Sequence, residues 1–479
     1  MNRFSRGLIS RWASLGPRFL PFADAATAEL PLSRLLRLAL FQVSVGMALV
    51  LLVGTLNRVM IVELHVSTTL VAMMVALPVL YAPMRALIGF RSDTHRSALG
   101  WRRVPFIWMG TLIQFGGLAV MPFALLVLGG GGNAGAWPVW VGQAGAAVAF
   151  LMVGAGLHTT QTAGLALTTD LAPVESQPKV VGLMYVMLLV GTIVSAFIFG
   201  VVLAEFTPGR LVQVIQGCAV ATLVLNTVAL WKQETRNPRR GAQQAAAPEP
   251  DFRESWSRYI EGDGTRRRLV AIALGTLAFS MQDVLLEPYG GQILGMSVGG
   301  TTWLSATLAT GGLIGFSYAS VVLSRGADPA RMAAIGSWIG VPAFVAVMLA
   351  ATTHSVAVFS AGALFIGVGG GIFGHGTLTV TMNRAPEEQI GLALGAWGAV
   401  QATAAGLGMA AGGLLRDVVG LLATEGWFGR TLAGPATGYA FVYALEVVLL
   451  LANVVVMGAL VGDRRRLNLG PTLTPESVK

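Results

Sequence analysis

Two histidines stand where an otherwise apolar chain offers little chemistry. His158 and His375 each lie deep in a long run of Ala, Gly, Leu and Val, and neutral imidazole is a competent ligand for a metal, including one already held inside a larger molecule. Gln161 follows His158 by three residues, so the two share one side of a helix. Measured back from Ala172-Pro173 and Ala385-Pro386, the histidines differ by four residues and occupy corresponding faces one helical turn apart. A hydrogen-bonded packing role suits the same residues, and spacing leaves both uses open.

Charged groups inside apolar stretches are the second class of candidate, because each costs on the order of a few kcal/mol in hydrocarbon unless paired or hydrated. Asp283 and Glu287 are four apart and share a helical face, and Glu287 joins the ligand candidates. Laying LNRVMIV (56–62) on MQDVLLE (281–287) puts Arg58 opposite Asp283. The expectation is an Arg58–Asp283 ion pair joining two halves of the molecule; hydration of both at a membrane interface is the alternative. Arg85 is expected to snorkel towards the surface, and Glu446 has no evident partner.

These residues need a scaffold, and composition names its kind. With 479 residues, 54% hydrophobic and 11% charged, 61 glycines and a mean hydropathy of +0.69, the chain reads as an all-α polytopic membrane protein. A span needs roughly 20 apolar residues. Twelve such runs are expected, at about 37–62, 68–90, 104–128, 138–168, 179–204, 210–231, 269–287, 301–324, 332–351, 355–383, 389–415 and 433–461. The alternating short segments of a membrane β-barrel are not evident. The opening MNRFSRGLISRW lacks the apolar core and cleavage site of a signal peptide.

The chain carries 32 Lys and Arg and a net charge of +9. Only Arg58, Arg210, Arg416 and Arg430 fall on the side away from the expected N-terminal arm. This bias places both termini in the cytoplasm and explains the basic charge through orientation and anionic lipid, with no nucleic-acid partner. Cys218 is the single cysteine, so no disulfide framework or thiol metal site is available. No nucleophile triad, metalloprotease helix, Walker loop or dinucleotide loop occurs in an acceptable context, and no enzyme and no direct metal site are expected.

The polar stretch 232–268 divides the spans six and six. The expected organisation is an arm over 1–36, a six-helix bundle over 37–231, a linker over 232–268, a second bundle over 269–461 and a tail over 462–479. Repeat matches support two parallel halves: TDLAPVE (169–175) resembles MNRAPEE (382–388), and Thr68-Thr69 resembles Thr301-Thr302. Glycines four apart, Gly367 with Gly371, Gly370 with Gly374 and Gly408 with Gly412, suit close helix packing.

Residues 89–108, GFRSDTHRSALGWRRVPFIW, resemble the loop signature of the major facilitator superfamily. Gly89, Asp93, Arg96, Arg102 and Arg103 match its order, with a longer spacing after Asp93 than in common transporters. Asp93 is expected to act as a structural latch with a nearby arginine rather than as a binding group. Together with TLNRVMIVEL (55–64), MQDVLLEPYGG (281–291) and the Ala-Pro closures, the motifs resemble the PucC/LhaA group, the bacteriochlorophyll delivery family, over nearly the whole chain.

The resemblance implies a major facilitator fold of two six-helix halves in the cytoplasmic or intracytoplasmic membrane of a phototrophic bacterium. It implies an assembly factor that hands bacteriochlorophyll to light-harvesting antenna polypeptides. The arm and the length look more like the LhaA members, which serve the core antenna around the reaction centre. The partners implied are antenna polypeptides, the reaction centre, pigment-synthesis or membrane-insertion machinery and membrane lipids, with carotenoid or lipid as further cargo. The magnesium would arrive only within a pigment. A secondary transporter of a small solute and a pigment-free membrane scaffold remain the alternatives.

Overall fold

The computed structural model describes residues 30–81, 84–85, 88, 91–92, 101–130, 137–173, 176–234, 252–262, 264–384, 390–429 and 433–467. Among them there is no strand. Eleven helices are long and apolar enough to cross a membrane, and a shorter apolar helix follows the first of them. In chain order they are α1 (Leu32–Glu63), α2 (Thr68–Leu80), α3 (Val104–Leu128), α4 (Val139–Leu171), α5 (Gln177–Val202) and α6 (Pro208–Leu230). The second half supplies α7 (Thr265–Gln292), α8 (Val298–Ser324), α9 (Pro329–Thr353), α10 (Val356–Arg384), α11 (Ile390–Thr424) and α12 (Ala436–Leu467). Helical residues recur past α2 at 84–85, 88 and 91–92, as a span ending near residue 90 predicts.

Most of these helices are apolar all round, so backbone hydrogen bonding in lipid makes them helical and close packing of small residues joins them. A Cβ at Gly367 would run into the Leu308 carbonyl, and one at Gly371 into the Gly312 carbonyl, so α10 and α8 touch backbone to backbone. Gly408 and Gly412 sit likewise on Leu277 and Met281 of α7. Gly374 has nothing within 4 Å; the Gly370/Gly374 pair is not a helix contact.

Two helices are irregular at repeat-related places. In α1 the stretches Val50–Leu56 and Val59–Glu63 are wound as π-helix. In α7 a 3₁₀ turn at Met281–Val284 separates Thr265–Ser280 from Leu286–Gln292. They are the segments matched by sequence repetition, and they meet: Asn57 Nδ2 donates to the Val284 carbonyl at 2.9 Å.

The face where α1 begins, called the near face here, is held by polar contacts within the first half. Arg34 Nε donates to Gln233 Oε1 at 3.1 Å and its Nη2 to the Gln233 carbonyl at 2.8 Å. Arg102 and Arg103 pair with Asp170 at the end of α4. Glu234 accepts the backbone N–H groups of Arg102, Arg103 and Val104 at 2.6, 3.0 and 2.9 Å, capping α3 from the segment that follows α6. Gly89, Asp93 and Arg96 of the loop signature lie outside the described residues.

The halves join towards the opposite, far face. Thr69 donates to Asp417 Oδ2 from both N and Oγ1, each at 2.7 Å. Thr55 and Thr302 hydroxyls meet at 3.3 Å. A short linker helix, Phe252–Glu261, lays Trp256, Tyr259 and Ile260 against Ala393, Ala396 and Leu269. Composition there had suggested only a polar connection.

Candidate functional site

Four helices of the first half converge on one polar cluster. α4 contributes His158, Gln161 and Thr162, which fall on one face by their spacing; α1 contributes Gln42, the continuation of α2 contributes Arg85, and α5 contributes Tyr185. Gln161 Nε2 donates to Gln42 Oε1 at 3.3 Å. Arg85 Nε donates to Thr162 Oγ1 at 3.1 Å and Nη2 to Gln161 Oε1 at 3.2 Å. The Arg85 charge lies close enough to act on both His158 and Tyr185.

Arg85 therefore does not snorkel to the surface. Its partner Thr162 precedes Asp170, which binds the near-face arginines, by eight residues, or roughly 12 Å of helix. The physical reason is local: neutral side-chain oxygens of α4 accept its donors at that depth, so the long stem has no cause to bend outward.

Two groups in the cluster are unsatisfied. Gln42 is fully buried and its Nε2 donates to nothing, and the His158 Nδ1 is buried without a partner. The sequence singled out His158 and Gln161 but passed over Gln42, Thr162 and Tyr185. An uncompensated arginine in a span was the signal that could have led to them.

His375 belongs to a different setting. Its ring lies 4.3 Å from the Phe316 ring centroid, on the α10–α8 contact of the second half, whereas His158 lies by Arg85 in the first. Glu287 lies apart from both: its Oε1 accepts from Ser305 Oγ at 2.5 Å, beside Gly54 of α1, where a Cβ would strike the carboxylate. The four ligand candidates thus divide into His158 with Gln161, His375 against Phe316, and Glu287 at the junction of the halves.

The Arg58–Asp283 ion pair does not form. Arg58 instead pairs with Glu63 and reaches across to the Met296 carbonyl at 3.3 Å, while Asp283 Oδ1 accepts from Gln282 Nε2 at 2.5 Å. A π-helical turn aligns residues five apart, which brings Glu63 over Arg58; ordinary α-helical spacing hid the pair. Arg58 still links the halves, through the Met296 carbonyl and through its charge, which acts on Glu287 rather than pairing with Asp283. Glu446 also finds a partner: its Oε1 accepts the Gln282 N–H at 2.7 Å, at the 3₁₀ turn of α7. Among the described residues no cluster of three or more His, Cys, Asp or Glu is placed to hold a metal ion.

Comparison with known proteins places this geometry in a family. Residues 55–465 match the family described as PUCC protein. Protein PucC of Rhodovulum sulfidophilum is 61% identical over 420 residues, covering 88% of this chain and 92% of that protein. The chain belongs to the PucC family. A second relative, the Bacteriochlorophyll synthase 44.5 kDa chain of Rhodobacter capsulatus, is 25% identical over 447 residues, 90% of this chain and 96% of that protein. Among solved structures, a bacterial homologue of the human lysosomal transporter Spinster, inward-facing and unoccupied, superposes with a TM-score of 0.66 at 15% identity, over 89% of this chain and 95% of that one. This PucC family member has the major facilitator fold, and the name of its Rhodobacter capsulatus relative refers to bacteriochlorophyll.

Proposed function

We propose that the chain is a non-enzymatic assembly factor for a bacterial light-harvesting complex, which binds bacteriochlorophyll and hands it to antenna polypeptides. The observation that carries this reading is the His158 ring nitrogen, buried without a hydrogen-bond partner in a polar cluster inside an apolar bundle. A magnesium in a tetrapyrrole needs one axial donor, and a single imidazole is a ligand that an antenna histidine can later replace. The close-packed apolar helices around it suit a large apolar ring that must be kept from free solution.

On this reading the protein sits in the cytoplasmic or intracytoplasmic membrane with both termini in the cytoplasm, as its basic near face favours. The core antenna around the reaction centre is the complex its LhaA-like arm and length point to. Purification in mild detergent should yield near-stoichiometric bacteriochlorophyll in the absorption spectrum, and deletion should lower core antenna more than peripheral antenna. Pigment-free protein with normal antenna levels in the deletion strain would refute it.

A second reading has its own support. Polar contacts close the far face between halves of a transporter fold, with Thr69–Asp417 as a hydrogen-bonded clasp, as alternating access of a small solute requires. Solute uptake by vesicles containing pigment-free protein would favour that reading.

A further inference from the structure

We propose that the first-half cluster is a carboxylate-binding site within the membrane, with Arg85 as the anchoring cation for a ligand that carries one carboxylate on an otherwise apolar body. Arg85 has no carboxylate partner among the described residues: its two hydrogen bonds go to the neutral oxygens of Thr162 and Gln161. An embedded guanidinium of this kind is costly unless an anion or water reaches it.

A second, independent observation points to the same place. Gln42 is fully buried and its Nε2 is an unused donor, although its other atom, Oε1, is fixed by Gln161. Arg85 and Gln42 are thus bound to opposite ends of one side chain, the Gln161 amide. The guanidinium is a fork suited to the two oxygens of a carboxylate. His158, one turn before Thr162 on α4, and Tyr185 both lie within reach of the Arg85 charge. The arrangement suits an acid group: it gathers donors around a cation, and none of the cluster's described members is a carboxylate that would repel one.

The carboxylate could belong to a free-acid tetrapyrrole or to a fatty acid. The tetrapyrrole source rests on the pigment reading above, whereas the site's chemistry does not. The full chain in detergent would be titrated with chlorophyllide a, with its methyl ester and with oleate. The free acid is expected to bind at least about tenfold tighter than the ester. Arg85→Gln should abolish that preference, and Arg85→Lys should keep part of it, with folding of each variant checked by circular dichroism and gel filtration.

Equal affinity of the wild type for acid and ester overturns the proposal without recourse to a variant, as does a preference that survives Arg85→Gln. If no tetrapyrrole binds at all, the pigment reading fails and the oleate titration decides: Arg85-dependent oleate binding upholds the carboxylate site, and oleate binding indifferent to Arg85, or none, overturns it.

Discussion

Glu446 shows how an acid deep in an apolar helix is put to structural use. The 3₁₀ turn of α7 frees backbone donors that an unbroken helix would have satisfied, and Glu446 Oε1 takes the Gln282 N–H at 2.7 Å. Glu446→Gln keeps an acceptor of the same shape and should change thermal stability little. Glu446→Leu strands a buried N–H and should cost about 1–3 kcal/mol, read as a lower melting temperature of the purified protein in one detergent. Arg58 and Glu63 differ in kind, because Glu63 is about a third exposed at 36%. Glu63→Gln should therefore cost only about 0–1 kcal/mol in the same assay. At this scale the sequence was legible in type and illegible in pairing. Arg58, Asp283, Glu287 and Glu446 all stood out as embedded charges. Their partners depended on helix windings, π in α1 and 3₁₀ in α7, that local apolar residues do not encode.

Spans were the most legible feature, since run length and hydropathy decide which segments enter lipid: eleven expected runs coincide with helices long enough to cross a membrane, and the second, 68–90, with α2 and the described helical residues beyond it. Helix ends were less so: α11 continues to Thr424 and α12 to Leu467, past the expected 415 and 461, because Arg416-Asp417 interrupts the apolar run of α11 without ending the helix and the polar residues 463–466 prolong α12. Glycine spacing proved two-sided. Gly371 lies against the Gly312 carbonyl while Gly374, three residues on, meets open space; period alone cannot tell which glycine faces a neighbour. Gly371→Leu should separate α10 from α8 and lower the yield of folded protein severely, whereas Gly374→Ala should leave stability within about 0.5 kcal/mol. Expression with gel filtration would read the first and thermal unfolding the second. At the near face, Glu234, in the segment after α6, takes three backbone donors at the start of α3. Glu234→Ala should cost about 1–2 kcal/mol, and a melting temperature equal to wild type would show that water replaces the cap without loss.

For the whole molecule, the repeat signals more than ancestry. The two matched segments, 56–62 and 281–287, are where α1 and α7 depart from α-helix and touch, so the symmetry of the sequence places the irregular backbone at the junction of the halves. Thr55 and Thr302 belong to that junction, with hydroxyl oxygens 3.3 Å apart. A Thr55→Cys/Thr302→Cys pair brings two sulfurs within easy reach of a disulfide, and the native Cys218, buried in α6, can be replaced by serine to leave a clean background. Mild oxidation should cross-link the pair almost completely, visible as a mobility shift on a gel that reverses with reductant. Pigment handover and solute transport then separate. Transport by alternating access must open the far face, so the cross-link should abolish it and reduction should restore it. A cluster built wholly from α1, α2, α4 and α5 needs no motion between halves to hold its ligand. Ligand binding at Arg85 and Gln42 should therefore survive the cross-link with unchanged affinity, and its loss would mean that the cluster is formed only in another arrangement of the two bundles.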